Sequence, residues 1–412
     1  MSILCGRALK CAFRSLLRVK WLWVYNAVMM KTLLALMIGI SVYFTQIPAP
    51  SCEQSRYALT DLGAPTQNDY AKTTPRNPWD MQIYQGKLYV GAGDYDANSG
   101  NTPIYALDLQ TQTWERTGTI LNEAAASFAI VDDTLYIPGT DPTTSSWAYG
   151  NYYHKGEDGW ELHNNLPGAV HHFDLVRHQG NLFFGIGTAN ANSSPVKISK
   201  DYGNSYQDVA VYREGKNLIG NNEYSYFRVY NFFTLKGDLY CLLAAVKKDD
   251  TREMGFCQYA GGAFHSIKGS GMRRSNLWQV LIGEAVTLKE QCYFATGRLY
   301  RTEDFHTYEE IVFSEQDYVT DCVAGTEYLY VLTAKQIREE TYVNTLWRFV
   351  PETGTQVRLT DFQTEGGFGL SLEKEGASFF VGIGHGSDAG RILKIQPKGF
   401  FTRLFGLLPP DR

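Results

Sequence analysis

The chain has 412 residues, of which 14% are aromatic and 20% are charged, a composition that can build a large folded core and excludes an intrinsically disordered protein. Residues 1–51 contain six basic residues and no acidic one. Residues 52–412 therefore contain 32 basic and 43 acidic residues and carry a net charge of −11. An acidic body argues against a protein that tracks nucleic-acid phosphates, so we expect no nucleic-acid partner.

The first 51 residues are predicted to be an export segment. Residues 21–44 are apolar apart from Asn26 and Lys31, and small residues follow at positions 49 and 51. A basic residue, an apolar stretch and small residues before the cleavage point are the plan of a signal peptide. The alternative is an uncleaved signal anchor that uses the whole of 21–44. Either interpretation predicts a location outside the cytosol, extracellular or in the cell envelope.

Five cysteines follow this segment, an odd number for an exported protein. Cys52 stands where a lipidated cysteine would, although Pro50 fits a lipidation signal poorly. Membrane attachment would therefore use the N-terminal segment or a lipidated Cys52. The remaining four cysteines could form the pairs Cys241–Cys257 and Cys292–Cys322, or they could be buried free thiols.

A short apolar strand recurs along residues 52–412 with a period of about 52 residues. Each copy carries an aromatic residue after a turn: Tyr89, Tyr136, Phe183, Tyr240, Tyr293, Tyr330 and Phe380. Each copy also contains further short alternating segments separated by turn residues and no 3.6-residue periodicity. Four short strands per repeat are typical of a β-propeller blade.

We therefore predict an all-β fold, a single seven-bladed β-propeller over residues 52–412 with four antiparallel strands in each blade. Six blades are the alternative, because the fifth copy is weak. Residues 56–62 have a strand pattern and precede the first repeat. We expect them to complete the last blade, the one that contains Phe380, because closing the ring removes its open edges.

Two turns between third and fourth strands carry a family resemblance. Ser199-Lys-Asp-Tyr-Gly-Asn-Ser-Tyr206 matches the Asp-box pattern at every position, and the turn between Tyr105 and Trp114 resembles a kelch turn. The sequence thus resembles the kelch and Asp-box (sialidase-like) β-propellers. The resemblance implies that the Asp-box is a structural turn on the outside of a blade, so its residues are excluded from the predicted site.

The residue nine positions before each repeated aromatic is polar in all seven copies. These positions, here called the collar, are Asp80, Ser127, Asp174, Asn231, Glu284, Asp321 and Ser371. Equivalent positions on equivalent strands share one direction, so the collar should converge on the propeller axis. Asp80, Asp174, Asn231, Glu284 and Asp321 are the predicted ligand-binding residues. The alternative is structural, with each side chain capping the backbone of the neighbouring blade.

Two other features lie at the predicted axial face. Asp94, Asp96 and Asn98 alternate as in a calcium loop, but the loop lacks the glycine and the bidentate acid of an EF-hand, so a solvated turn is the alternative. No cofactor is expected apart from this calcium ion. Aromatic residues of nearby segments could stack on sugars: Trp79, Trp147, Tyr149, Tyr152, Tyr153, Tyr224 and Tyr226.

No recognised catalytic motif is found, and the arginine set of a sialidase is absent, because Arg116 and Arg177 lie on strands away from the collar. The favoured function is an exported binding or scaffold module for a glycan or protein ligand at the axial face. The alternative is a glycoside-active enzyme that uses the axial carboxylates.

Overall fold

The computed structural model describes residues 56–94, 100–143, 149–269, 285–314 and 317–399. The predicted export segment and Cys52 lie outside these residues, as do Asp96, Asn98, Trp147 and Glu284. The described chain belongs to one unit that begins at Arg56. No helix in the described part of the chain is long and apolar enough to cross a membrane.

The chain opens with strand β1 and a 3-10 turn and then forms two four-stranded antiparallel sheets. Before them lie β1 (Tyr57–Asp61) and the turn Thr74–Arg76. Sheet I contains β2 (Met81–Tyr84), β3 (Lys87–Val90), β4 (Thr102–Asp108) and β5 (Trp114–Ile120). A small pair joins the sheets, β6 (Asn122–Ala124) with a later strand, β9. Sheet II contains β7 (Ala129–Val131), β8 (Thr134–Pro138), β10 (Tyr149–Lys155) and β11 (Trp160–Pro167), and β9 (Thr140–Pro142) lies between its second and third strands.

Sheet III has ten strands and contains two successive four-stranded meanders. Meander IIIa consists of β12 (Ala169–His178), β13 (Asn181–Thr188), β14 (Val196–Ser199) and β15 (Gln207–Asp208). The hairpin β16 (Ala210–Arg213) and β17 (Lys216–Asn217) follows. Meander IIIb consists of β18 (Tyr224–Leu235), β19 (Asp238–Lys247), β20 (Arg252–Ala260) and β21 (Ala263–Ser266). The two meanders are joined at the single residue pair Gly187–Arg228, and β16 pairs in parallel with β21.

Three more four-stranded sheets complete the described chain. Sheet IV contains β22 (Ala285–Leu288), β23 (Gln291–Ala295), β24 (Leu299–Thr302) and β25 (Glu309–Ile311). Sheet V contains β26 (Tyr318–Ala324), β27 (Leu329–Arg338), β28 (Thr341–Val350) and β29 (Thr355–Glu365). Sheet VI contains β30 (Phe368–Glu375), β31 (Ser378–Gly384), β32 (Ile392–Pro397) and, as its outermost strand, β1.

The all-β prediction is confirmed, and the arrangement is propeller-like, with five four-stranded blades and the larger sheet III. The repeat assignment is confirmed as well, because each of the seven repeated aromatics lies on the second strand of its sheet or meander. The expected closure by residues 56–62 is also confirmed. Tyr57 pairs with Pro397 and Asp61 with Leu393, so the N-terminal strand completes the last sheet.

The core lies between successive sheets, because each sheet is apolar on both faces. Phe183, Phe232 and Phe264 are in the cluster between the two meanders of sheet III. The last sheet packs on the first through Phe380 and Met81, which share a cluster. The second strand of each sheet or meander is therefore buried from both sides, which explains its nearly continuous apolar sequence.

The four described cysteines are free and buried. Cys241 lies directly opposite Cys257 on β19 and β20, as the predicted pairing requires, and burial raises the pKa of the Cys241 thiol. Cys292 and Cys322 do not meet, because they belong to the clusters on the two opposite sides of sheet IV. Of the two interpretations, the structure therefore shows free thiols.

Candidate ligand-binding site

The described collar residues occupy one equivalent position in successive sheets or meanders, nine residues before the repeated aromatic of the second strand. On four inner strands the pairing with the second strand has an irregularity just before the collar residue, a β-bulge that re-aims the side chain. These four collar residues are Asp174, Asn231, Asp321 and Ser371. Asp80 precedes β2, and Ser127 precedes β7.

The collar carboxylates bind the backbone of the next sheet or meander. Asp80 Oδ2 accepts the Phe128 N–H at 2.6 Å, Asp174 Oδ2 accepts the Phe232 N–H at 2.7 Å, and Asp321 Oδ2 accepts the Leu372 N–H at 2.6 Å. In each case the donor is the residue that follows the neighbouring collar position. The second oxygen of Asp174 and Asp321 accepts the N–H of the next residue in its own strand. Each carboxylate thus joins two inner strands.

The collar serines continue this pattern as donors. Ser127 Oγ donates to the Phe173 carbonyl at 3.3 Å, and Ser371 Oγ donates to the Pro78 carbonyl at 2.7 Å, across the junction between the last and first sheets. Asn231 differs, because its Oδ1 is buried and has no hydrogen-bond partner among the described residues. This geometry supplies a structural role for the collar. A role in ligand binding for Asp80, Asp174, Asn231 and Asp321 stays a prediction.

Side chains beyond the collar form a continuous surface at the same edge, here called the mouth. It consists of Trp79, Glu123, Asp141, His171, Phe173, Arg228, Tyr230, Phe368 and His385. These residues lie before the collar position of their repeat or just after its second strand. Such positions share one edge because the strands are antiparallel. The mouth has an aromatic part, an acidic part and a cationic end.

The aromatic part spans the junction of sheets VI and I. Phe368 stacks on His385 with ring centroids 4.9 Å apart, and His385 meets Trp79 edge-on at 6.1 Å. Trp79 is held in place by its indole N–H, which donates to the Gly93 carbonyl at 2.7 Å. The Phe368 and Trp79 rings are half-buried, so each keeps an open surface.

The acidic part is built on the small β6–β9 pair, which places Glu123 opposite Asp141. The Asp94 N–H donates to the Glu123 carbonyl at 2.9 Å and brings a third carboxylate nearby. Burial raises the pKa of Glu123, and the neighbouring charges of Asp141 and Asp94 raise it further. Asp141 Oδ1 lies 2.8 Å from His171 Nδ1.

Two non-glycine residues of the mouth have a left-handed backbone, Asp141 at φ 46° and His385 at φ 60°. Outside hairpin turns this conformation is uncommon for residues with a Cβ and is often found at functional sites.

The cationic end of the mouth begins at His171. Its ring contacts Phe173 at 5.3 Å, and Phe173 contacts Tyr230 at 4.7 Å. Arg228 Nη1 donates to Tyr230 Oη at 3.4 Å, and the guanidinium lies 5.2 Å from the centre of the Tyr226 ring. Aromatic, acidic and cationic groups are thereby linked in one chain of contacts.

Sequence reasoning identified only part of this surface. Of the aromatics expected to stack on sugars, Trp79 and Tyr226 are half-buried here, whereas Tyr152, Tyr153 and Tyr224 are buried in the core. These three expectations were wrong, because an alternating strand does not reveal which face is covered by the next sheet. Glu123, Asp141, Arg228 and Phe368 were missed. For Arg228 and Phe368 the signal that could have identified them is that each lies three residues before a collar position.

Two sequence motifs remain, the calcium-like loop and the Asp-box turn. Asp94 is buried, while Asp96 and Asn98 lie outside the described residues, so the calcium prediction stays open. No group of three His, Cys, Asp or Glu side chains within the described ranges could hold a metal ion. In the Asp-box turn, Asp201 accepts the Ser205 N–H at 2.8 Å and the Ser205 hydroxyl at 2.6 Å. These bonds lower the pKa of Asp201 to about 2.

No protein-family model and no curated protein is similar to the sequence. Among solved structures, a 6-phosphogluconolactonase described as putative from Bacteroides uniformis has a TM-score of 0.46 and 12% identity, covering 75% of this chain and 95% of its own. Polysaccharide lyase Uly1 has a TM-score of 0.45 and 9% identity, covering 80% and 91%. Saccharomyces cerevisiae Sqt1 has a TM-score of 0.42 and 12% identity, covering 80% and 98%. Similarity at this level supports no functional argument, so the site is interpreted from its own residues.

Proposed function

We propose that this protein is an exported β-propeller that binds a glycan at the mouth. The observation that carries the proposal is the continuous chain of contacts that joins half-buried aromatic rings to carboxylates and an arginine at one edge of the sheets. Aromatic faces stack on the C–H surfaces of sugar rings, and carboxylates accept hydrogen bonds from sugar hydroxyls. A protein ligand is the competing occupant of the same surface.

We further propose that the propeller has seven blades, with meanders IIIa and IIIb as the third and fourth. The support is that the strand pairing between the two meanders consists of one residue pair, Gly187–Arg228, while an apolar cluster packs between them as it does between separate sheets. Each has the four-strand order of the other sheets. The resemblance of the Ser199–Tyr206 turn to an Asp-box fits this assignment.

Export is proposed from the sequence of residues 1–51, with the mature chain beginning near Cys52. N-terminal sequencing of the natively made protein tests this. A product that retains Lys31 would replace the signal peptide by a membrane anchor, and a lipid on Cys52 would be visible by mass spectrometry.

Glycan binding is tested by screening the wild-type protein on a glycan array and titrating the best ligand into Phe173→Ala and Phe368→Ala variants. We expect each variant to lose about 0.5–1.5 kcal/mol, which is roughly threefold to tenfold in affinity. Tyr202→Ala is the matched control, because Tyr202 is 60% exposed and lies in the Asp-box turn at the opposite edge. Equal losses in all three variants, or no binding by the wild type, would contradict the proposal.

A glycoside-active enzyme is the second candidate, and one observation favours it. Burial and the charges of Asp141 and Asp94 raise the pKa of Glu123, which faces Asp141, and two facing carboxyl groups are the catalytic pair of many glycosidases. The collar acids fit this role less well, because their oxygens accept backbone N–H groups. A panel of chromogenic glycosides decides between the candidates. Hydrolysis that is abolished in Glu123→Gln would make the mouth catalytic.

A further inference from the structure

Arg228 is one of two described arginines whose Nε is buried without a hydrogen-bond partner; the other, Arg348, lies near the C-terminal end of β28 beside Tyr328, whereas Arg228 lies at the mouth. No ion pair joins Arg228 to a carboxylate among the described residues. Arg391, by contrast, lies 2.7 Å from Asp61, and Arg301 lies 2.7 Å from Glu309. The partners of Arg228 are two tyrosines, with Tyr230 at 3.4 Å and the Tyr226 ring at 5.2 Å.

This arrangement leaves donor capacity unused on a group that cannot lose its charge. A buried N–H without a partner carries a desolvation penalty, and a guanidinium has five donors in a fixed plane that match two carboxylate oxygens. The flanking tyrosines restrict the guanidinium orientation. Asn231 Oδ1, three residues further along β18, is a second buried polar atom without a described partner. The same strand therefore carries an unused donor group and an unused acceptor.

We propose, on the basis of the glycan-binding function above, that Arg228 binds the carboxylate of an acidic sugar, and that the ligand is an oligosaccharide containing a hexuronate. The carboxylate would occupy the cationic end of the mouth beside Tyr226 and Tyr230. The neutral part of the ligand would extend over Phe173 towards the acidic part.

The charge distribution across the mouth narrows the class of ligand. Glu123, Asp141 and Asp94 lie at the far side of His171 and repel a second anionic group. Residues 52–412 also carry a net charge of −11, which opposes a densely charged polyanion. The ligand therefore has one carboxylate near Arg228 and uncharged sugars beyond it. A sulfated or fully uronate chain fits this surface poorly.

The test compares uronate-containing oligosaccharides with their carboxyl-reduced counterparts, which keep the ring and lose only the charge. The full chain is titrated calorimetrically with members of both sets built on galacturonate, glucuronate and mannuronate. We expect at least one acidic member to bind at least about tenfold more tightly than its reduced form. The difference should shrink as salt is added, because the interaction is ionic.

Variants then assign the effect to Arg228. In Arg228→Gln the acidic and reduced sugars should bind equally, and Arg228→Lys should recover part of the discrimination. Equal binding of both sets by the wild type would overturn this inference and leave glycan binding intact. Binding of neither set, together with an empty glycan array, would remove the proposed function as well. If Arg228→Gln does not fold, the comparison in the wild type and its salt dependence still decide the question.

Discussion

Removing the carboxylate of Asp321 tests whether the collar holds neighbouring sheets together. Asp321 is 3% exposed, and its oxygens accept the N–H groups of Cys322 and Leu372, both at 2.6 Å. In Asp321→Ala both donors remain buried and lose their acceptor. At about 1–3 kcal/mol for each unsatisfied donor, the loss is about 4 kcal/mol.

The corresponding change in melting temperature follows from the size of the domain. Unfolding entropy is about 2.1 cal/mol/K per residue, so a loss of ~4 kcal/mol lowers the Tm by about 5 °C. Differential scanning calorimetry measures the shift, and Asp321→Asn should give an intermediate value because it keeps one acceptor oxygen. Asp158→Ala is the matched control, because Asp158 is an exposed turn residue.

A Tm change of less than about 1 °C in Asp321→Ala would refute the structural account of the collar. The ligand-binding prediction for the collar is measured in the same samples. If the folded Asp321→Asn protein loses glycan affinity while Arg228 and Phe173 variants do not, the collar rather than the mouth is the site.

Three further predictions concern other parts of the fold. His172 is fully buried, and burial lowers its pKa to about 3 from 6.5. The contribution of His172 to the free energy of unfolding is therefore complete above pH 6.5 and falls as the pH drops towards 3, by about 2 kcal/mol at pH 5. Because Phe has no titratable group, the free energy of unfolding of His172→Phe, measured in urea, should decrease less at acidic pH. Gly382→Ala should lose about 1–3 kcal/mol, because its Cβ would lie 2.4 Å from Ser371 Oγ and 2.6 Å from Pro78 Cγ, whereas Gly255→Ala, with open space around it, should lose far less in the same denaturation assay. A thiol reagent should label Cys241, Cys257, Cys292 and Cys322 only after denaturation, since all four are buried. If mass spectrometry of the denatured protein finds the label on Cys292 and Cys322 alone, Cys241 and Cys257 form a disulfide.

The sequence predicted the repeating part of the structure well. The aromatic of each second strand and the polar collar position were found because every copy of the repeat packs in the same way, as at Phe183 and Asp174. The closing strand was found because Arg56–Leu62 has a strand pattern and no partner nearby in sequence. The aromatic and collar positions recur, so a single sequence contains several independent observations of each.

The mouth could not be predicted in the same way, because it is the part that differs between copies. Glu123 and Asp141 meet only through the short β6–β9 pair, and Arg228 is linked to Phe173 only through Tyr230, which contacts Phe173 on the neighbouring meander. Tyr152 shows the opposite error, since it was among the aromatics expected to stack on sugars while its ring is buried between sheets. Such contacts join residues from separate repeats, and local pattern contains no information about them.

The pairing of β1 with β32 has a consequence for how the protein reaches its folded state. Tyr57 and Pro397, which pair in the last sheet, are among the earliest and latest residues of the described chain. Bringing two such distant ends together has an entropic cost of about 5 kcal/mol, and contacts of this separation slow folding. A ribosome must release almost the whole chain before the ring can close. Until then the first sheet exposes Met81 and Leu88, which Phe380 and Ile392 cover in the finished structure. Chains that stop before β32 should therefore remain open, aggregate readily and be sensitive to proteases.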